Sequence, residues 1–182
     1  MLPPISNWII PDKFAVSAMP SASNIKYFTN HGIRYIISLM EPHEEQIKEL
    51  KYRKLFLKTN MFWYSEHIHG IYGNSDDNII FARFPMYRNK NTEDDYVKNI
   101  AKTIIESLHL NRPVLLHCHQ GRGRSMVIAA IVVGILYGLS TNDAIEFVRK
   151  CYKTRKIRKY KDVLLKKRKI NQINRILEDL RD

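Results

Sequence analysis

Apolar runs of strand length alternate with segments of helical periodicity along most of this chain. Runs rich in β-branched and other apolar residues predict buried strands over residues 33–40, 78–84 and 113–117. A wholly apolar segment, residues 126–137, follows the third run after a short turn and predicts a buried helix. Residues 6–16 alternate around a Pro-Asp turn and predict a small hairpin or two short edge strands. Strands alternating with helices predict an α/β fold with a single central mixed sheet flanked by helices.

Capping residues mark the predicted helix starts. A hydroxyl just before a helix can accept a hydrogen bond from the free N–H groups of the first turn. Such residues precede three helical periods: Ser21 or Ser23, Thr92, and Ser140. A last amphipathic helix is predicted from about Tyr160. In the middle of the chain the weaker pattern predicts a polar helical turn at 44–50, a strand at 61–64 and a surface loop at 72–78.

Composition predicts one soluble domain. The 182 residues are 45% hydrophobic and 26% charged and contain no linker, so we expect a single domain over residues 1–182. The N-terminus lacks the order of a signal peptide. The longest apolar run, residues 126–137, is shorter than the roughly 20 residues that span a bilayer, so no transmembrane segment is predicted. We expect a cytoplasmic or nuclear location, and the two cysteines, Cys118 and Cys151, fit a reducing compartment.

Positive charge is concentrated near the C-terminus. The chain has a formal net charge of +12, and residues 149–169 hold twelve Lys or Arg and one Asp. The rest of the chain is nearly balanced, with 18 basic and 17 acidic residues. A basic C-terminal helical region, about residues 149–182, therefore predicts either phosphate-rich partners, such as nucleic acid, anionic lipid or acidic phosphoproteins, or a solvated basic helix face.

The turn between the strand at 113–117 and the apolar helix is rich in Gly and Arg. A tight turn from a strand into a helix points its backbone N–H groups inward, and such a nest at a helix N-terminus attracts an anion. Gly121 and Gly123 allow a ligand to approach the backbone closely or allow a positive φ. The turn therefore predicts a phosphate-binding loop: His119, Gln120, Gly121, Arg122, Gly123 and Arg124.

Cys118 stands at the end of this strand and is the predicted nucleophile. A helix N-terminus and a nearby Arg lower the pKa of a thiol below its free value of about 8.5, so a reactive thiolate is expected at neutral pH. The planar guanidinium of Arg124 can hold two phosphate oxygens at once. The alternative interpretation is a buried cysteine at a strand end, followed by an ordinary surface turn.

The motif His117-Cys118-x-x-Gly121-x-x-Arg124-Ser125 resembles the signature of the cysteine-dependent protein tyrosine phosphatase superfamily, and most closely its compact dual-specificity branch. The resemblance implies that Cys118 forms a phosphocysteine, that Arg124 and the loop amides stabilise the transition state, and that Ser125 helps the intermediate break down. It also implies that His117 supports the thiolate and that the enzyme uses no metal or other cofactor. Compact relatives occur in large DNA viruses as well as in cells, so a location inside a virus-infected host cell is an alternative prediction.

The general acid of that branch has no evident counterpart in this sequence. The branch normally carries an Asp on the loop after the strand that ends here near Phe84, and Met86 occupies that slot. Asp94, Asp95 and Glu93 are the nearest candidate acids, although a favourable interaction with a helix dipole also explains their position. A general acid contributes typically 10²–10⁴-fold and matters least when the leaving group has a low pKa.

Three functions remain open from the sequence. The first is a tyrosine or dual-specificity protein phosphatase that acts on phosphorylated proteins. The second is an RNA 5′-triphosphatase of the same superfamily, because the usual acid is missing and residues 149–169 can bind an RNA 5′ end. The third is a phosphate-binding module with little turnover. The extra cations at His119 and Arg122 also resemble the loops of phosphoinositide phosphatases.

Overall fold

A computed structural model describes residues 2–41, 44, 71–74 and 79–180. Within these residues the strands form one sheet of order β1-β2-β6-β3-β5-β4. The four central strands run parallel and the two outer strands pair antiparallel with their neighbours. The strands are β1 (Ser6–Ile10), β2 (Phe14–Ser17), β3 (Tyr35–Ser38), β4 (Ile71–Asn74), β5 (Ile79–Arg83) and β6 (Val114–His117).

Helices cover both faces of the sheet. Those in the described residues are α1 (Ala22–Asn30), α2 (Asp94–His109), α3 (Arg124–Tyr137), α4 (Thr141–Lys153) and α5 (Lys167–Asp179). Helix α3 is buried from Arg124 to Gly134 and contacts α2, α4 and α5. Each of its fully buried large aliphatic side chains contributes about 1.5–3 kcal/mol relative to exposure. The α/β fold with one mixed sheet is therefore confirmed, and α3 is its central helix.

The carboxyl ends of three parallel strands meet at one edge of the sheet. Ser17 of β2 and Ser38 of β3 both lie opposite His117 of β6 in the strand register. The backbone N–H of Leu39 donates to the His117 carbonyl at 2.9 Å and keeps the chain after β3 beside the end of β6. Ligands of open α/β sheets bind at such an edge, so the turn after β6 lies where a site is expected.

Two predicted helix starts hold and two are wrong. The hydroxyls of Ser21 and Ser140 accept from backbone N–H groups in the first turns of α1 and α4. The Thr92 hydroxyl instead accepts from the backbone N–H of Tyr87 at 3.1 Å, so it closes the loop before α2. The last helix begins at Lys167 rather than near Tyr160, because the preceding segment gives its backbone hydrogen bonds to other parts of the fold.

The middle of the chain is described only in part. Residues 71–74 form strand β4, so the surface loop predicted for 72–78 is wrong over its first three residues. The rest of that loop, the strand predicted at 61–64, and the helical turn at 44–50 apart from Glu44 lie outside the described residues. No single described helix is long and apolar enough to cross a membrane. Helices α3 and α4 meet the criteria of length and composition only as a pair bent by 119°.

Candidate active site

The turn after β6 folds as a cradle around Cys118. The backbone N–H of Gly121 donates to the Cys118 sulfur at 3.2 Å, and Gly121 has a φ of +60°. A Cβ on Gly121 would lie 2.3 Å from the carbonyl oxygen of Ser17, so the loop passes directly against β2. Of the two loop glycines, Gly121 has the positive φ, whereas Gly123, which precedes α3, has a φ of −116°.

The Cys118 side chain is buried, with 3% of its surface exposed. Burial raises the pKa of its thiol, but the positive charge of Arg124, the polar groups of Ser125 and the hydrogen bond from Gly121 outweigh burial and lower the pKa below the usual value. The Ser125 hydroxyl is fully buried and has no hydrogen-bond partner in the described part of the chain. These surroundings favour the thiolate over the thiol.

Arg124 is held in place from two directions. Its Nη1 donates to the carbonyl oxygens of Leu39 and Met86, each at 3.1 Å. Nη1 and Nη2 also donate to the two carboxylate oxygens of Glu44, at 2.5 and 2.8 Å. Burial raises the pKa of Glu44, and the hydrogen bond and charge of Arg124 are among the effects that bring it below its usual value. A paired carboxylate thus fixes the plane of the Arg124 guanidinium beside the loop.

His117, the residue before Cys118, is buried and uncharged. Burial, followed by the positive charges of Arg124 and Arg83, lowers the pKa of its imidazole to about 3. The ring is therefore neutral at neutral pH. Its Nδ1 is buried and has no hydrogen-bond partner in the described part of the chain.

The other loop residues have partners outside the cradle. The Arg122 guanidinium stacks over the Tyr160 ring at 3.4 Å from its centroid, and its Nε donates to Gln120 Oε1 at 3.2 Å. The Gln120 amide nitrogen lies 3.4 Å from the Tyr160 hydroxyl. The carbonyl of Arg122 accepts from the backbone N–H of Leu164 at 2.7 Å. The segment before α5 therefore packs directly on the phosphate-binding loop.

A cavity of about 200 Å³ opens over Cys118 and Arg124, and His119 and Gln120 also line it. Five more of its described lining residues are cationic, and none is acidic: the cations are Arg88, Arg122, Lys166, Arg168 and Lys169. Lys169 is 6% exposed, and its amine donates to the Lys90 carbonyl at 3.2 Å. Burial, followed by the charges of Arg168 and Arg124, lowers the pKa of Lys169 to about 8. Part of the basic C-terminal stretch thus reaches the site.

None of the residues considered for the acid position lies in this cavity. Met86 is fully buried in the core, and the residues of its loop that line the cavity are Arg88 and Asn89. The Asp94 carboxylate accepts hydrogen bonds from Arg175 at 2.9 Å and from Gln172 at 2.8 Å. Burial raises the pKa of Asp94, but these hydrogen bonds bring it below its usual value, so Asp94 is a poor proton donor.

Asp95 also lies outside the cavity. Its side chain is 92% exposed and pairs with Lys98 at 3.1 Å on the first turn of α2. Neither aspartate lines the cavity and both lie in the first turn of α2, which supports the helix-dipole explanation of their position.

Comparison with known proteins decides the family. Residues 3–171 match the family model PTP-SAK, described as a Swiss Army Knife protein, DSP-PTPase phosphatase domain. The chain belongs to this family. The PTP-SAK match covers most of the sequence and includes the whole turn from His117 to Ser125. The protein is a cysteine-based phosphatase of the dual-specificity type, as its signature predicted.

Solved structures share the fold at low sequence identity. The crystal structure of Tk-PTP in the active form is 16% identical, with a TM-score of 0.69 over 96% of this chain and 97% of that one. Kinase associated phosphatase, with its catalytic site cysteine replaced by serine, is 16% identical, with a TM-score of 0.69 over 92% and 87%. PTPMT1 in complex with PI(5)P is 12% identical, with a TM-score of 0.70 over 97% of both chains.

Proposed function

We propose that this phosphatase hydrolyses phosphomonoesters, those of tyrosine and other protein hydroxyls among them, through a phosphocysteine on Cys118. The observation that carries the proposal is a buried thiol that accepts a hydrogen bond from the Gly121 N–H of the loop and whose pKa is lowered. The thiolate attacks phosphorus, an S–P bond forms, and the P–O bond to the leaving group breaks. Water then attacks the phosphocysteine, which releases inorganic phosphate and restores the thiolate.

Arg124 and the loop amides stabilise the transition state in this proposal. The guanidinium is fixed by Glu44 and two backbone carbonyls, so little reorganisation is needed when charge develops on the phosphoryl oxygens. The buried Ser125 hydroxyl, which accepts or donates no hydrogen bond in the described part of the chain, is free to donate to the sulfur as the S–P bond breaks, which makes the thiolate a better leaving group. His119, Gln120, Gly121, Arg122 and Gly123 supply the remainder of the phosphate-binding loop.

The leaving group in this cavity receives no proton from a described Asp or Glu, because no such residue lines it. Proton donation contributes typically 10²–10⁴-fold where it operates. We therefore expect high rates on aryl phosphates and phosphoanhydrides, whose leaving groups have low pKa values, and low rates on alkyl phosphates such as phosphoserine.

A polyphosphorylated substrate is the second candidate, and the cations of the cavity favour it. Lys166, Arg168 and Lys169 belong to the basic 149–169 stretch and line the same cavity as Cys118. Their positive potential attracts additional phosphates beside the one under attack. An RNA 5′-triphosphate combines such phosphates with a leaving group of low pKa.

A side-by-side assay of three substrates separates these candidates: a phosphotyrosine peptide, a phosphoserine peptide and a 5′-triphosphorylated RNA. An RNA substrate that contacts the basic stretch should show a log–log salt dependence with a slope of about −0.7 per phosphate contact. Preference for the RNA, weakened by neutralising Lys166 and Lys169, supports the triphosphatase candidate. Activity confined to the phosphotyrosine peptide and insensitive to salt rejects it. A mere phosphate-binding module would release no phosphate beyond background from any of the three.

A further inference from the structure

Arg155 lies beneath the phosphate-binding loop, just after the end of α4. It is 5% exposed and makes four hydrogen bonds. Its Nε donates to Asn7 Oδ1 at 2.6 Å, and its Nη2 donates to the Val16 carbonyl at 3.3 Å. The other two bonds reach the loop itself, because Nη1 donates to the Gln120 carbonyl at 3.3 Å and Nη2 to the Gly121 carbonyl at 2.9 Å.

The hydrogen bonds of the Arg155 side chain go to neutral groups. All four of the acceptors described above are neutral oxygens, and the guanidinium carbon lies 4.7 Å from the centroid of the Tyr152 ring. Burial lowers the pKa of Arg155 to about 10, so the side chain remains charged at neutral pH. A buried cation held by neutral groups carries a large desolvation cost. Its position therefore calls for a role beyond packing.

Peptide geometry supplies that role. A peptide unit is planar and trans, so its C=O and N–H point in opposite directions. Arg155 holds the carbonyls of Gln120 and Gly121 toward the outside of the loop, and the N–H groups of the same two peptide units, those of Gly121 and Arg122, must therefore point inward. The Gly121 N–H does so, since it lies 3.2 Å from the Cys118 sulfur.

We propose that Arg155 is a positioning residue that orients the phosphate-binding amides of Gly121 and Arg122 and thereby sets the reactivity of Cys118. Arg155 acts from the rear of the loop and does not line the substrate cavity. Asn7 orients the guanidinium through its Nε, and the two Nη groups then span adjacent carbonyls. A lysine retains the charge at this position but cannot span the same acceptors. The inference rests on the proposed function, since it assumes that Cys118 is the nucleophile.

The test measures alkylation of Cys118 by iodoacetamide as a function of pH, together with inhibition by inorganic phosphate. Arg155→Met should move the alkylation midpoint to higher pH, weaken phosphate inhibition about tenfold and lower kcat for an aryl phosphate about 100-fold. Arg155→Lys should recover part of the alkylation shift but little of the phosphate affinity. Arg158→Met is the matched control, because it removes an exposed charge from the same basic stretch and should change neither quantity.

The outcomes separate the two proposals. An unchanged alkylation midpoint and unchanged phosphate affinity in Arg155→Met, with only a lower thermal midpoint, would overturn the positioning role. If Arg155→Met does not fold, Arg155→Lys decides, because wild-type phosphate inhibition in that variant also overturns it. A different result would contradict the proposed function, namely phosphatase activity that stays intact after complete alkylation of Cys118 in the wild-type protein.

Discussion

Gly121→Ala probes the tightest backbone contact of the phosphate-binding loop. The new Cβ would lie 2.3 Å from the Ser17 carbonyl oxygen, 2.4 Å from its carbon and 2.6 Å from the nitrogen of Ala18. These atoms belong to the backbone at the end of β2, so no flexible side chain can move aside. To reach ordinary van der Waals distance, the contact must lengthen by roughly 1 Å. Most of that movement falls on the loop, since β2 is buried in the sheet.

Two effects set the magnitude of this change. The left-handed conformation at a φ of +60° costs an alanine about 1–2 kcal/mol. A shift of the loop by about 1 Å also displaces the Gly121 N–H from the sulfur, and a misplacement of that size can reduce the rate about 100-fold. We therefore expect Gly121→Ala to lower kcat for an aryl phosphate by about two orders of magnitude and to reduce the thermal midpoint.

Gly138→Ala is the matched control. Gly138 also has a positive φ, +62°, and no atom lies within 4 Å of a Cβ added there. It follows the last residue of α3, at the opposite end of that helix from the loop. It should show the conformational cost in thermal unfolding and keep its activity within a few-fold of wild type. The reasoning is refuted if Gly121→Ala retains near-wild-type activity, or if Gly138→Ala loses as much activity as Gly121→Ala.

Three further changes have defined outcomes. Arg124→Lys keeps a positive charge but loses the planar guanidinium, which pairs with both oxygens of Glu44 and can hold two phosphate oxygens at once. Steady-state kinetics should therefore show a loss of orders of magnitude in kcat. Asp94→Asn should leave kcat and its pH profile unchanged, because Asp94 binds Arg175 instead of lining the cavity; a large loss would identify it as the acid. Lys169 has a pKa of about 8 and loses its charge as the pH rises through that value. For a triphosphorylated substrate, kcat/KM should therefore fall across pH 8 in the wild type but not in Lys169→Arg, and identical profiles would contradict this reasoning.

Local sequence patterns are sufficient to predict the phosphate-binding loop and the strand and helix that flank it. A β-branched run, a Gly- and Arg-rich turn and an apolar helix are consecutive, so their order alone places Cys118 between a strand end and a helix N-terminus. The helix predicted for residues 126–137 lies within α3, which begins two residues earlier at Arg124. The N-cap role of Ser140 can also be predicted from the local sequence, because an N-cap side chain bonds to a backbone N–H only three positions away.

Contacts between residues that are distant in the chain cannot be predicted from local sequence patterns. Glu44 binds Arg124 across 80 residues, and Arg155 reaches Gln120 across 35. Nothing in the local pattern distinguishes Glu44 from an ordinary surface carboxylate, or Arg155 from the other cations of the basic stretch. The start of α5 was misplaced for a related reason. Leu164 has helical spacing relative to later apolar residues, but its backbone N–H bonds to the Arg122 carbonyl.

The central claim is that Cys118 carries the phosphoryl group during turnover. The most direct measurement is mass spectrometry of the protein after rapid acid quenching during hydrolysis of an aryl phosphate, with peptide mapping of the modified site. We predict one added phosphoryl group on the peptide that contains Cys118 in the wild type, and none in Cys118→Ser, which should also lack turnover. Sustained turnover by Cys118→Ser, or a phosphoryl group found on another residue, would contradict the account.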